Sequence, residues 1–240
     1  MLQFKQFKWA DEQFEDFQTI ESVNGSPRLY ITPDGNFPSM TSILKVYDDG
    51  GIDAWRKRVG EEEANRITEE AIDRGNHLHN YNEWYLQNKL VRSEMEGQAR
   101  TLFNRVKRYL DKIDLVLGTE IALYNKDDGY AGRTDAIGMV ENELTIIDHK
   151  NARKPIDLNT PWGRKKLFKY QIQCTGYGRA LYKMKGYRAT KGFISVGNHL
   201  TSTSDLFHFN LEPFEKELDI AIHAYHNNGQ GIERSMFFKL

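Results

Sequence analysis

The sequence predicts an α/β protein in which helices flank a central mixed β-sheet. Apolar residues follow helical spacing from about residue 52 to residue 115, and the period then changes to the alternation that is typical of strands. Beyond that region, helical and strand-like segments alternate to the end of the chain. This order of elements is typical of layered α/β domains. Because no repeat and no Pro/Ser-rich linker interrupts the 240 residues, we expect one continuous domain over 1–240.

The first part of this predicted domain is an N-terminal lead-in over residues 1–50. Two short extended segments, 28–31 and 37–40, are separated by turn residues and therefore indicate a small hairpin. Thr41 is a candidate N-cap for a helix that begins near Ser42.

The second part, residues 51–117, is predicted to be helical. Apolar residues at helical spacing indicate a long helical stretch over 52–86, with a break near Gly60. A second helix is predicted over 95–115, where apolar residues recur at the i, i+3, i+4, i+7 positions of one buried face.

The third part, residues 118–240, is predicted to hold the sheet and the functional site. Alternating and apolar segments indicate strands over 119–124, 130–140 and 143–148, the last two joined by a tight turn at Glu141-Asn142. The remaining predicted elements are a helix over 169–183, strands over 192–196 and 207–209, and a helix over 213–226.

The composition excludes several classes of protein. A net charge of −1 excludes a globally basic coat protein for nucleic acid. Basic residues are nevertheless concentrated between Lys150 and Lys169, where the sequence has seven Lys or Arg residues and only one acidic residue, Asp157. That basic stretch, taken alone, is equally typical of a solvated surface. Cys174 is the only cysteine, which excludes an internal disulfide and favours a reducing, intracellular setting. No apolar run approaches the roughly 20 residues that span a bilayer, so we expect no membrane partner.

The hairpin around Glu141-Asn142 brings ionisable residues together. Facing residues in such a hairpin have numbers that sum to about 283, so Asp135 should face Asp148 with β-carbons roughly 5 Å apart. Lys150 comes two residues after Asp148 and therefore shares its face of the strand. The spacing predicts two carboxylates and an ammonium that converge on one point.

Two facing carboxylates repel each other unless a proton or a cation lies between them. Oxygen ligands favour Mg²⁺ or Mn²⁺, which bind through carboxylates and substrate phosphate. A lysine beside such a cation can orient or deprotonate the attacking water, or stabilise charge on the phosphate. The alternative is a solvated cluster on an edge hairpin; the apolar pair Ile146-Ile147 argues against it, because it indicates a buried strand.

Four short motifs occur in chain order, and the set is far more specific than any single motif: Arg74-Gly75-x-x-x-His79, Gly132-x-x-Asp135, Asp148-x-Lys150 and Gln173-x-x-x-Tyr177. Together they resemble the PD-(D/E)xK nuclease superfamily in the form found in its RecB-like branch. Within that branch the chain resembles the mitochondrial genome maintenance exonuclease type over most of its length. It departs from the superfamily pattern at Arg133-Thr134, where a proline usually precedes the first aspartate.

The resemblance implies a restriction-endonuclease-like core and a Mg²⁺- or Mn²⁺-dependent exonuclease on single-stranded DNA. The implied catalytic residues are Asp135, Asp148, Lys150 and Gln173. The implied metal ligands are His79, Asp135, Asp148, the backbone carbonyl of His149, and Glu120, which acts indirectly or on a second metal. The implied DNA contacts are Arg74, Arg164, Lys165, Lys166, Lys169, Tyr170 and Tyr177.

Only one of the two neighbouring histidines is expected at the site. Residues two apart on a helix point to different faces, so His77 and His79 cannot both face the same cation. The spacing in the family selects His79, and His77 is then an ordinary polar residue of the helix surface.

Three alternatives stay open at this stage. The same core is compatible with a structure-selective or site-selective endonuclease, or with a DNA-binding module that lacks catalysis. A zinc metalloprotein is a third class, for which His223 and His226 are further candidate ligands.

The size of the chain is more similar to a viral or bacterial version of the family than to an organellar one. We therefore expect a cytoplasmic protein, including a viral protein that acts in a bacterial host.

Overall fold

The computed structural model describes residues 4–12, 14–20, 27–48, 50–201 and 203–228, so parts of the predicted lead-in and the end of the predicted domain lie outside the described residues. The strands are β1 Lys8–Trp9, β2 Gln18–Ile20, β3 Leu29–Thr32, β4 Gly35–Pro38, β5 Ile113–Asn125, β6 Tyr130–Val140, β7 Glu143–Ala152, β8 Lys191–Asn198 and β9 Ser204–Asn210. The α-helices are α1 Met40–Ile43, α2 Gly51–Val59, α3 Glu61–Leu86, α4 Gly97–Leu110, α5 Pro161–Lys185 and α6 Glu215–His226.

The centre of the protein is a six-stranded sheet in the order β1-β5-β6-β7-β8-β9. β1 is parallel to β5 and β7 is parallel to β8, whereas the other neighbouring strands are antiparallel. The predicted α/β fold with a mixed central sheet is therefore confirmed. A separate three-stranded sheet, β2-β3-β4, contains the predicted hairpin of the lead-in.

Helices cover both faces of the central sheet, and each face has its own apolar core. Side chains of α1, α5 and α6 pack against Ile146 on one face. Those of α3 and α4 pack against Ile147 on the other. Because successive side chains of a strand alternate between faces, Asp148 and Lys150 share the α5 face with Ile146. His149 follows Ile147 towards α3 and α4.

Two element boundaries near the N-terminal half differ from the prediction. Ser39, rather than Thr41, caps α1, because its extended backbone lets its hydroxyl accept a hydrogen bond from the Ser42 amide at 3.1 Å. α4 ends at Leu110, and β5 begins at Ile113 rather than at residue 119. Pairing with β1 and β6 extends β5 into the segment that was predicted to be helical. The helix break at Gly60 is confirmed.

α5 is longer than predicted, since it begins at Pro161 rather than near residue 169. Thr160 caps it: the threonine hydroxyl accepts a hydrogen bond from the Gly163 amide at 3.0 Å. A threonine followed by proline is a helix-start signal, so this boundary was readable from the sequence. None of the helices in the described residues is long and apolar enough to cross a membrane.

Candidate active site

The hairpin of β6 and β7 has the predicted register. Paired residues run from Val140–Glu143 to Ala136–Ile147, and each pair sums to the expected value. The paired register ends at Ala136–Ile147, one step before the predicted pair Asp135–Asp148. At that point the carboxylate of Asp135 accepts a hydrogen bond from the backbone N–H of His149. The aspartate that the motif places first is therefore held directly against the strand that carries the second.

His79 reaches this point from α3. Its Nδ1 lies 3.0 Å from Oδ1 of Asp135, and 30% of its side chain is exposed. Gly75, one turn earlier on α3, explains the approach, because a β-carbon there would lie 2.7 Å from Nδ2 of Asn151 on β7. A larger residue at this position would require the Asn151 side chain to move away from α3. His77 instead points to the exposed helix surface, where its Nδ1 lies 3.0 Å from the Asp73 carbonyl.

Glu120 completes a cluster of possible metal ligands on β5. It lies between the paired residues Thr119 and Ile121 and has a left-handed backbone, with φ 51°. A left-handed residue other than glycine inside a strand is strained, and such strain is concentrated at functional sites. Ligand atoms of His79, Glu120 and Asp135 lie within 4.8 Å of one another.

Arg133 stabilises this unusual backbone, and the sequence had not marked it as functional. Its guanidinium donates a hydrogen bond to the Glu120 carbonyl at 2.6 Å and forms an ion pair with Asp16. Nothing in the sequence links residues 120 and 133, because the contact exists only across the pairing of β5 with β6.

Asp148 and Lys150 form a buried ion pair beside this cluster. Oδ2 of Asp148 lies 2.7 Å from Nζ of Lys150, and the aspartate side chain is only 2% exposed. Nζ of Lys150 also lies 5.2 Å from the centroid of the Tyr170 ring on α5. Three aligned groups therefore meet on the α5 face: a carboxylate, an ammonium and an aromatic ring.

The charges of the site shift one another's protonation. The Asp135 carboxylate raises the pKa of His79 to about 9, against the opposing effect of burial. Burial opposes ionisation of Asp135, yet the neighbouring His79 holds the pKa of that aspartate below its usual range. Burial, together with Asp135, raises the pKa of Glu120 to about 7. Without a cation, His79 is therefore protonated at neutral pH.

In the pair Asp148–Lys150, the pKa of the aspartate shifts in the opposite direction to that of Asp135. Burial raises the pKa of Asp148 to about 6, although the Lys150 ammonium opposes this. Burial disfavours the charged form of Lys150, but Asp148 and Asp135 raise its pKa above the ordinary value. A lysine that holds its proton this firmly can orient water and stabilise negative charge, whereas it is unsuited to removing a proton.

The imidazole of His149 does not belong to the cluster. Its Nδ1 lies 2.8 Å from Oγ of Ser195 on the buried α3 side of the sheet, and burial lowers its pKa to about 4. The metal-binding role that the resemblance implies concerns the backbone carbonyl of His149 and not this ring.

Gln173 and Tyr177 lie on one buried face of α5. Nε2 of Gln173 donates a hydrogen bond to the Tyr177 hydroxyl at 2.9 Å. The Tyr177 ring lies against Gly132, where a β-carbon would be 2.5 Å from Cε1 of the ring. This close packing explains the glycine of the Gly132-x-x-Asp135 motif. A phosphate contact does not fit Tyr177, because the residue is buried behind Gln173; supporting that amide is what its position allows.

The predicted DNA-contacting cations occupy two regions. One region is the first turns of α5, which carry Arg164, Lys165, Lys166 and Lys169. There Arg164 donates a hydrogen bond to the Leu158 carbonyl at 3.0 Å. Lys169 forms an ion pair with Asp48 at 2.5 Å. Arg74 lies elsewhere, on α3, and donates to Gln98 at 3.3 Å beside a cavity of about 600 Å³ with an acidic rim. The structure therefore groups the cations of α5 and separates Arg74 from them.

The donor set suits a hard divalent cation. One imidazole nitrogen and two carboxylates are gathered at one point. Asp148, a predicted ligand, is not among the atoms within 4.8 Å of one another, although the charges of Asp135 and His79 act on its carboxylate. Nitrogen and oxygen donors without sulfur are typical of Mg²⁺ and Mn²⁺ sites, and the imidazole favours Mn²⁺. The residues present therefore fit the metals that the motifs imply.

Comparison with known proteins adds little to this geometry. No protein-family model and no curated protein matches the chain. Among solved structures, the chain is similar to one described as the crystal structure of SSO0001, with a TM-score of 0.42 and 14% sequence identity. The similarity covers 78% of this chain and 74% of that one. At this level it carries no argument about function.

Proposed function

We propose that this protein is a metal-dependent DNA phosphodiester hydrolase with a restriction-endonuclease-like core, and that it acts as an exonuclease on single strands. One observation carries the proposal: His79, Glu120 and Asp135 converge beside the Asp148–Lys150 ion pair. The choice of DNA and of single strands is supported by the four motifs. We further propose a cytoplasmic location, since the only cysteine, Cys174, is buried as a free thiol.

His79, Glu120 and Asp135 would hold a Mg²⁺ or Mn²⁺ ion, with Asp148 and the His149 carbonyl available beside it. When bound, such an ion polarises a phosphoryl oxygen and lowers the pKa of a water molecule near the phosphate. The protein's own part is to gather the ligands before substrate arrives, through the Gly75 contact of α3 and the strained backbone of β5.

Lys150 supplies a fixed positive charge for the phosphate. The raised pKa keeps the ammonium charged, and Asp148 and the Tyr170 ring restrict where it points. A preorganised charge in a partly water-excluded site stabilises the extra negative charge of the transition state. Gln173, held by Tyr177, presents its amide from the same face of the sheet.

The test is cleavage of end-labelled single-stranded and duplex DNA in Mg²⁺, in Mn²⁺ and in EDTA. We expect metal-dependent loss of the single strand, and a loss of at least about 100-fold in turnover for Lys150→Ala. Lys154→Ala is the matched control, because Lys154 lies in the same basic stretch but is exposed. If Lys150→Ala cleaves as fast as the parent protein, the proposed site is wrong.

Closed circular single-stranded DNA separates the exonuclease from the endonuclease. An exonuclease needs a free end, so linear strands should be degraded while circles stay intact. Rapid cutting of circles would replace the exonuclease by an endonuclease at the same metal site.

A further inference from the structure

One face of α5 leads from the protein surface to the candidate active site. Trp162, Lys166 and Tyr170 are spaced four residues apart, so their side chains follow one another along the helix. Nζ of Lys166 lies 4.8 Å from the centroid of the Trp162 ring and 6.0 Å from that of Tyr170. Tyr170 in turn lies 5.2 Å from Nζ of Lys150. We call Trp162, Lys166 and Tyr170 the α5 stripe; it ends at Lys150 of β7.

Burial increases steadily along this face. Trp162 is 60% exposed, Lys166 and Tyr170 are partly buried, and Gln173, which continues the same face, is 6% exposed. Trp162 is also the most exposed tryptophan of the described residues; Trp9 and Trp84 are 40% and 39% exposed. A large ring held at the surface over a lysine offers a flat contact area with little conformational freedom to lose.

The alternation of ring and cation along the stripe matches the alternation of base and phosphate along a nucleic acid strand. Unpaired bases stack on aromatic side chains without regard to sequence, and cations beside them contact the phosphates. Trp162 and Tyr170 are eight residues apart, which is about 12 Å along a helix. That length corresponds to roughly three to four nucleotides of a stacked strand at about 3.4 Å each.

We propose that the α5 stripe is the track that guides a single strand to the active site, with Trp162 stacking on an unpaired base about three to four nucleotides from the phosphate at Lys150. The proposal rests on the proposed function and adds the basis of its strand preference. A duplex covers the faces of its bases, so it cannot use Trp162 in this way. The stripe therefore favours single strands before any chemistry occurs.

The test measures binding, so that it is separate from cleavage. Fluorescence anisotropy of a labelled 12-nucleotide oligo-dT, in Ca²⁺ to prevent hydrolysis, gives Kd for the parent protein and its variants. Trp162→Ala should weaken binding about 5–150-fold, the range that corresponds to one stacked base. Trp162→Phe should restore most of the affinity, because it keeps an aromatic face. Lys166→Gln should reduce the slope of log Kd against log salt by about 0.7, as for one lost phosphate contact.

Tyr182→Ala is the matched control, because Tyr182 is 54% exposed on the same helix but lies 20 positions from Trp162. The affinity of Tyr182→Ala for oligo-dT should stay within about twofold of the parent value. The affinity of Trp162→Ala for duplex DNA should also stay within about twofold of the parent value, because a duplex does not use Trp162. An oligonucleotide with abasic sites at the third and fourth nucleotides from its end should bind the parent protein and Trp162→Ala equally.

Three results would overturn the track. Unchanged oligo-dT binding by Trp162→Ala would remove the stacking role while leaving the nuclease intact, provided that the parent protein binds and cleaves. Equal losses for single strands and duplex would show that Trp162 does not select unpaired bases. Binding of an acidic peptide but not of oligo-dT by the parent protein would overturn both the track and the proposed function.

Discussion

Gly132→Ala is a substitution beside the candidate active site whose cost can be worked out from the structure. A β-carbon at this position would lie 2.5 Å from Cε1 of Tyr177, whereas carbon atoms in ordinary contact are about 3.5–4.0 Å apart. The ring would have to move by roughly 1 Å. Tyr177 is buried, and its hydroxyl accepts a hydrogen bond from Gln173, so the ring cannot swing freely.

We expect Gly132→Ala to lower the free energy of unfolding by about 1–3 kcal/mol, the usual cost of inserting a methyl group into a packed core. Tyr177→Ala alone should cost about 3–5 kcal/mol, because it leaves a cavity. The double substitution should cost less than the sum of the two, since the new methyl group enters the space that the ring has left. The difference between the sum of the two single costs and the cost of the double substitution should equal most of the cost of Gly132→Ala.

Urea unfolding of the four proteins measures this cycle, provided that the slope of the free energy with urea stays constant. Gly118→Ala is the control on the same sheet: its β-carbon would approach Cδ1 of Ile121 to 2.6 Å, but that atom is the flexible end of a side chain. Costs that add to within about 0.5 kcal/mol would refute the packing argument for the Gly132-x-x-Asp135 motif.

Three further predictions concern the metal ligands. His79→Ala should weaken Mn²⁺ binding about 10–100-fold in titration calorimetry, whereas His77→Ala, on the exposed helix surface, should leave it unchanged; equal losses would contradict the choice of histidine. Because Asp135 raises the pKa of His79 to about 9, a bound cation must displace a proton, so Mn²⁺ affinity should rise between about pH 7 and pH 9. His79→Ala should flatten that dependence, and a slope equal to the parent's would place the titrating group elsewhere. Arg133→Gln should also weaken Mn²⁺ binding, because it removes the hydrogen bond that holds the backbone of Glu120. Arg133→Lys should restore part of the affinity. Unaltered Mn²⁺ binding in both variants would show that Arg133 does not position Glu120.

The sequence by itself determined the hairpin and its register. Turn residues at Glu141-Asn142 and the two-residue period of strands are local properties, so the register as far as Ala136–Ile147, one step before Asp135 and Asp148, could be worked out by counting. The start of α5 was determined equally locally, by Thr160 and Pro161, although we predicted it later in the chain.

Only the tertiary structure decided how the site is completed. The left-handed backbone of Glu120 depends on Arg133, thirteen residues away, and the imidazole of His149 turns to Ser195, forty-six residues away. Local propensities contain no information about such pairs, because each contact forms only after strands and helices have packed. Residue types and spacing thus predicted which chemistry could meet at the hairpin, and packing determined which atoms reach it.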